Sequence, residues 1–528
     1  MDADLVVTGG TVIDGTGSPP RRADIAVEGD TIDVVDPLPE PVDATDTLDA
    51  EGLVVTPGFI DVHLHTDTAA LSPDPDTNGG LPSLRQGVTT EVCGNCGFSP
   101  FPIHGDAAEE LGVLISTALG EGARLFRDAP SHRAALEEMG LGPNYAPLVG
   151  HGALRISAVG FDDRPATADE IATMCAELDS ALAEGCFGMS TGLIYPPGMF
   201  APTEEIVELA RVVTRHELLY TTHMRNENTF VDEAIEEAFT IGRESGAPVQ
   251  ISHHKVTGPP NWGRSEETLR QIDDARAEGL DVAFDVYPYT ASSTGLVALL
   301  PRWVLDGGFS SLDALRDASA RDRIREEARA ARPGAGSAVV TAPDIVVLSS
   351  VPADPALEGR RLSEIADERG VDALDVACDL LLEEPAVQVV VHQMSDTDVE
   401  RILTHPLAMI GSDGAMGGGR PHPRRAGTFA RVLGRYVRVE GALDLVDAVH
   451  KMSGAPAERF RMSDRGTLAP GKRADLVVFD PGAVIDGATY EDPLARPTGV
   501  SHVVVNGRVA IKDGNDTGRR PGRVLEPT

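Results

Sequence analysis

Apolar positions along this chain fall into short runs punctuated by Gly, Pro and Asp. At the N-terminus the runs 4–9, 11–14, 22–28 and 31–35 are broken by Gly-Gly, Gly-Ser-Pro-Pro and Gly-Asp, a pattern that predicts a small antiparallel sheet. The C-terminus repeats it: Asp475-Leu-Val-Val-Phe-Asp and Val503-Val-Val-Asn-Gly-Arg-Val read as strands, with Asn506-Gly507 as a strong hairpin turn. The two ends are expected to join in one β-sandwich. Between them, strand-like runs at 59–65, 88–93, 145–150, 185–190, 218–223, 248–253, 281–287 and 408–413 alternate with helical patterns such as 168–184, 203–216 and 231–245. That alternation predicts an α/β chain built on a parallel (β/α)8 TIM-like barrel. A ninth run, Val387-Gln-Val-Val-Val-His, does not fit a count of eight, and the Pro-rich and Ala/Arg-rich stretches around 291–352 read as an inserted subdomain. The expected organisation is therefore 1–57 as one part of the sandwich, 58–462 as the barrel and 463–528 as the other part.

The barrel strand ends carry the chemistry. The stretch Val54-Val-Thr-Pro-Gly-Phe-Ile-Asp-Val-His-Leu-His ends a strand in His63 and His65. Residues at i and i+2 on a strand point to one side, so two imidazoles converge at the mouth of the barrel, as metal ligands do. The second strand ends in Cys93-Gly-Asn-Cys96. A Cys-x-x-Cys can be a redox pair or half a zinc ribbon, but no second pair follows, which favours a single thiolate ligand. Cys96, in a glycine-bounded loop, is better placed than Cys93, which continues the strand. The fifth, sixth and last strands end in His223, His253 and Asp413, while His254 faces the opposite way and reads as structural. His63, His65, Cys96, His223, His253 and Asp413 together suit Zn²⁺. Six donors suit two ions sharing the thiolate, or one tight site and one weaker site.

Composition narrows the setting. A hydrophobic content of 41% and a charged content of 24% are those of a globular chain, and no run is long enough for a transmembrane helix. The N-terminus has neither a basic region nor an apolar core, so no signal peptide is expected. Five cysteines, an odd number, argue for a reducing cytoplasm. The net charge of −38 opposes nucleic-acid and anionic-membrane partners. With Lys255, Lys451, Lys472 and Lys512 as the only lysines, this balance suits a halophile, the alternative being codon bias in a GC-rich genome.

Further phrases carry a family resemblance. They are Gly87-Val-Thr-Thr, Gly94-Asn-Cys-Gly-Phe, Val149-Gly-His-Gly, Ser190-Thr-Gly-Leu-Ile-Tyr, Ile251-Ser-His-His-Lys, Tyr287-Pro-Tyr-Thr-Ala-Ser-Ser-Thr, Ser412-Asp-Gly, His422-Pro-Arg-Arg-Ala-Gly-Thr-Phe and Asp464-Arg-Gly. With them the chain resembles the N-acyl-D-amino-acid deacylases (D-aminoacylases) of the amidohydrolase superfamily over nearly its whole length. The resemblance implies zinc-dependent hydrolysis of N-acyl-D-amino acids, with the six donors as the metal set and Asp413 also as the catalytic base. It implies a substrate carboxylate held around Lys255, Tyr287, Ser293 and Arg424. Many binuclear relatives bridge their metals with a carboxylated lysine on the fourth strand; Cys186-Phe-Gly-Met-Ser-Thr-Gly-Leu has none, which disfavours the alternative of a hydantoinase- or dihydroorotase-like enzyme acting on cyclic amides. A scaffold that has lost catalysis is disfavoured by the full donor set. His151 and Arg155 could line the pocket or cap a loop.

Overall fold

The computed structural model describes residues 2–38, 43–72, 80–104, 111–115, 124–415 and 418–528. Eight parallel strands form the barrel: Phe59–Asp61, Val88–Cys93, Asn144–Pro147 with Val149–Gly150, Gly188–Gly192, Leu219–His223, Val249–Ile251, Val282–Val286 and Ala408–Ile410. The third strand is interrupted at Leu148, pairing through Asn144–Pro147 with the second and through Val149–Gly150 with the fourth. Beyond its last strand the chain runs on to Asp413, whose N–H donates to the His63 carbonyl at 2.7 Å. Gly414–Ala415 then pairs with Leu64–His65, so the last strand closes on the first.

The core follows the two faces of these strands. Ile60, Val92, Ala146, Leu148, Phe187, Leu219, Ala283 and Met409 form one buried cluster with Phe460 and Met462. Phe59, Val88, Val149, Met189, Tyr220, Val249, Val282 and Ala408 pack instead with the surrounding helices. This division is the period of two expected of barrel strands. Local chemistry sets the helix ends: Thr167 and Glu170 form a capping box at the start of Ala168–Ala183, and Gly246, at φ 80°, ends Val231–Ser245. Among the described residues no helix is long and apolar enough to cross a membrane.

Both chain ends meet in one nine-stranded mixed sheet. Val54–Pro57 is its seam, parallel to the first strand and antiparallel to Leu476–Phe479. Leu5, Ile25, Val55, Leu476 and Val504 share one apolar cluster, so the sheet wraps a single core. The runs 4–9 and 11–14 are one strand, Asp2–Val12, whose register shifts between Val7 and Gly10; the Gly-Gly pair read as a turn is a bulge. Asp43–Asp49, too polar to register as a strand, pairs with it in parallel.

The ninth run is Gln388–Val391, the middle strand of a separate antiparallel sheet between Ser292–Gly295 and Val346–Ser350. Apart from Phe200, the apolar cluster under this sheet runs from Leu296 to Val391, past residue 352. We propose that the unit inserted between the seventh and eighth barrel strands spans about 291–395. The periodicity of one short apolar run cannot say which sheet it joins.

Candidate metal centre and substrate cavity

The carboxyl ends of the barrel strands bring all six expected donors together, and all are buried. His63, His65, Cys96 and Asp413 form one group with ligand atoms within 4.8 Å of one another, and Cys96, His223 and His253 form a second. Cys96 belongs to both. Its Sγ lies 3.3 Å from His63 Nε2, 3.4 Å from His253 Nε2 and 3.6 Å from His223 Nδ1. Asp413 Oδ1 lies 3.1 Å from His65 Nε2 and 3.5 Å from His63 Nε2.

The backbone is bent to make this possible. Cys96, His253 and Asp413 have φ of 54°, 38° and 52°, a region unfavourable to side chains with a Cβ. The Cys96 loop is pinned by Ser190, whose hydroxyl donates to the Gly94 carbonyl and accepts from the Gly97 N–H at 3.0 Å. Gly192 lies against it so closely that a Cβ there would stand 2.1 Å from the Cys96 oxygen.

The donors suit a thiophilic cation. Burial alone would raise the Cys96 thiol, but the imidazoles of His63 and His253 outweigh it and hold the sulfur well below the usual thiol range. Burial likewise opposes ionisation of Asp413, and Arg424 with His253 and His63 overcomes it, leaving a carboxylate. A tetrahedral Zn²⁺ with Zn–S of about 2.3 Å and Zn–N of about 2.0 Å has S···N edges of roughly 3.5 Å. The Cys96 edges to His253 and His223 match it, although the His223 Nδ1 to His253 Nε2 edge is tighter, at 2.8 Å.

Carboxylates stand behind the imidazoles. Asp285 Oδ1 lies 3.1 Å from His63 Nδ1 and accepts the His253 N–H at 2.8 Å, while Oδ2 accepts from Gln250 at 3.1 Å. Glu227 lies 3.1 Å from His253 Nδ1 and 2.6 Å from Lys255 Nζ. Neither acid was singled out in the sequence. Asp285 left a signal, a charge inside the apolar run Val282–Val286; Glu227 left none.

The donors sit in the wall of a cavity of about 850 Å³ that the inserted unit also lines. Lys255, Tyr287, Ser293 and Arg424 all face it. Arg424 is buried, with Nη1 2.7 Å from Asp413 Oδ2 and its guanidinium 4.7 Å from the centre of the Tyr287 ring. Ser293 meets it through its backbone, its carbonyl accepting from Nη2 at 3.4 Å. Among the described residues, Arg424 Nε and the Tyr287 hydroxyl are buried with no hydrogen-bond partner. Cys93 stays outside the cluster, beside Thr66 at 3.3 Å. His254 turns away to Thr268 at 3.0 Å. His151 and Arg155 close on Glu205 at 3.1 Å, fully buried.

Residues 46–511 match the profile of the amidohydrolase family. The chain is 41% identical over 526 residues to a D-aminoacylase of Alcaligenes xylosoxydans xylosoxydans, covering 99% of this chain and 98% of that one. It superposes with a TM-score of 0.84 on an N-acyl-D-glutamate deacylase from Bordetella bronchiseptica, complexed with zinc and a phosphonate mimic of the tetrahedral intermediate, at 38% identity and full coverage of both chains. A D-aminoacylase structure, concerned with a binuclear metal centre in which one metal activates and the second attenuates, matches with a TM-score of 0.84 at 41% identity, covering 99% of this chain and 100% of that one. With matches of this length and identity, the chain belongs to the D-aminoacylase family of the amidohydrolase superfamily.

Proposed function

We propose that this protein hydrolyses the N-acyl amide bond of N-acyl-D-amino acids in a zinc-dependent reaction, giving a carboxylate and a free D-amino acid. The observation that carries this is one buried thiolate shared by two donor groups, at the floor of a cavity that also holds a buried arginine with an unpaired nitrogen. His63, His65, Cys96, His223, His253 and Asp413 would hold zinc, Cys96 serving both groups. Zinc, when bound, supplies Lewis-acid polarisation of a carbonyl and acidification of water. Asp413, ionised and at the junction of metal donors and cavity, takes a proton from the attacking water and passes it to the leaving nitrogen. Arg424 and Tyr287 turn their unpaired donors to the substrate carboxylate; Lys255 adds positive charge beside them, and Ser293 holds Arg424 in place.

Cavity charge favours an uncharged substrate side chain. Of the cations on its wall, Arg225 is held by Glu237 through Nε at 2.9 Å, Lys255 by Glu227 and Arg302 by Asp163. Arg424 also meets a carboxylate, Asp413, at 2.7 Å, but among the described residues its buried Nε has no hydrogen-bond partner, which leaves it as the donor for the α-carboxylate. The segments outside the described residues contain no lysine or arginine. A second carboxylate would enter a partly apolar cavity without a cation committed to it, at a desolvation cost.

The test is kcat/KM on N-acetyl derivatives of D- and L-leucine, D-methionine and D-glutamate, with a hydantoin as the cyclic control and zinc measured on the same sample. We expect D over L, and D-leucine at least ~10-fold over D-glutamate, about 1.4 kcal/mol. Activity on the hydantoin alone would overturn the deacylase reading; a preference for D-glutamate would overturn only the charge argument.

The net charge of −38 and five free cysteines support a salt-rich, reducing cytoplasm. Melting temperature should rise from low to molar KCl, and a flat response would favour codon bias as the origin of the charge.

A further inference from the structure

Glu227 follows the fifth barrel strand, four residues past His223, with its side chain 13% exposed on the cavity wall. Its Oε1 lies 3.1 Å from His253 Nδ1, and its Oε2 lies 3.7 Å from His223 Nε2. These are the outward nitrogens. The inward ones, His253 Nε2 and His223 Nδ1, face Cys96 Sγ at 3.4 and 3.6 Å. One carboxylate thus reaches behind two imidazoles that share one thiolate.

Lys255 creates a competition at the same place. Its Nζ lies 2.7 Å from His253 Nδ1 and 2.6 Å from Glu227 Oε1. An ammonium has donors only. Left alone beside His253 it would donate to Nδ1, and neutral His253 would then carry its proton on Nε2, pointing at Cys96. A carboxylate has acceptors only, and beside the same nitrogen it draws the N–H outward and frees Nε2.

We infer that Glu227 is a positioning residue for the Cys96–His223–His253 group: by accepting from both Lys255 and His253 it keeps the His253 Nε2 lone pair turned toward the sulfur, while its other oxygen, 3.7 Å from His223 Nε2, adds negative charge behind the second imidazole. Glu227 is not itself among the donors of either group. The inference rests on the reading of that group as a zinc site.

The tests are zinc affinity of the full chain in competition with a chelator, and the thiolate-to-metal charge-transfer band of the Co²⁺-substituted protein. Glu227→Ala should lower zinc affinity about 10–100-fold, the usual effect of losing a carboxylate behind a metal-bound histidine. Lys255→Met in the Glu227→Ala background should recover most of that loss, because it removes the competing donor. A general loss of packing would not be repaired by a second truncation. If Glu227→Ala does not fold, Glu227→Gln, which keeps the shape and loses the charge that holds Lys255, is compared in the same way with its Lys255→Met double variant. Unchanged affinity in the folded single variant, or a double variant no better than the single, overturns the inference. Failure of the wild type to bind zinc at all would instead overturn the site reading beneath it.

Discussion

Glu205 and Glu227 each stand between a cation and an imidazole, yet they face different surroundings. Glu205 takes Arg155 Nη1 at 3.1 Å on both oxygens and His151 Nε2 at 3.1 Å, with all three side chains inaccessible. The remaining Arg155 donors end on the carbonyls of Pro197, at 3.1 Å, and Arg164, at 2.6 Å. Glu227 takes Lys255 and His253 in the same manner, but the other nitrogen of His253 faces Cys96 and the side chain borders the cavity. A buried acid, cation and imidazole are therefore no mark of function by themselves. The distinction lies in the second imidazole nitrogen: His253 Nε2 faces further donors, whereas His151 Nδ1 has no hydrogen-bond partner among the described residues.

The largest effect that can test this contrast is on turnover. Asp413→Asn should fold and keep most of its zinc, and lose about 10²–10⁴-fold in kcat, because an amide cannot carry the proton. A variant within tenfold of wild type would mean that another group is the base. Next in size is Glu205→Gln, which leaves Arg155 buried without its counter-charge. Breaking a buried pair costs about 3–5 kcal/mol, so denaturation should come at much lower urea while kcat per folded molecule and zinc affinity stay near wild type. Loss of zinc with stability intact would put Glu205 in the metal centre and erase the difference between the two clusters.

What the sequence reveals of this site depends on how rare a residue type is where it stands. His63, His65, Cys96, His223 and His253 occupy strand ends in a chain with 14 histidines and five cysteines, so each is noticeable. Glu227 and Asp285 are two among 83 acidic residues, and no spacing sets Glu227 apart. Lys255 stands out because lysine is scarce, yet its ion pair with Glu227 exists only once the fifth and sixth strands lie side by side. The barrel strands were legible because their apolar runs are bounded by turns. The fourth strand starts at Gly188, later than the run from 185 suggests, where a Cβ would stand 2.1 Å from the Leu219 oxygen. The reach of the inserted unit depended on which sheet one short run would join, and that is decided by packing.

The smallest predicted effect concerns imidazoles, and it contrasts His65 at the metal centre with His132 outside it. At the centre, burial opposes protonation of His65, but Asp413 and Cys96 overcome it and raise its pKa to about 9. His132, on the helix Ala129–Met139, is buried among Phe101, Phe126 and Tyr145, and burial lowers its pKa to about 4. In the unfolded chain a histidine takes its proton near pH 6.5. Between about pH 6.5 and 4 the unfolded state therefore binds one more proton at this position than the folded state, and stability falls as pH falls through that window. A single such group contributes a slope of up to about 1.4 kcal/mol per pH unit. His132→Phe keeps a ring in the pocket and removes the titrating group, so its stability should fall less steeply from pH 6.5 to 4. The check is urea unfolding of both proteins at several pH values in that window, with salt held constant. Equal slopes would show that His132 takes up its proton without unfolding, and that burial among these rings does not hold it neutral.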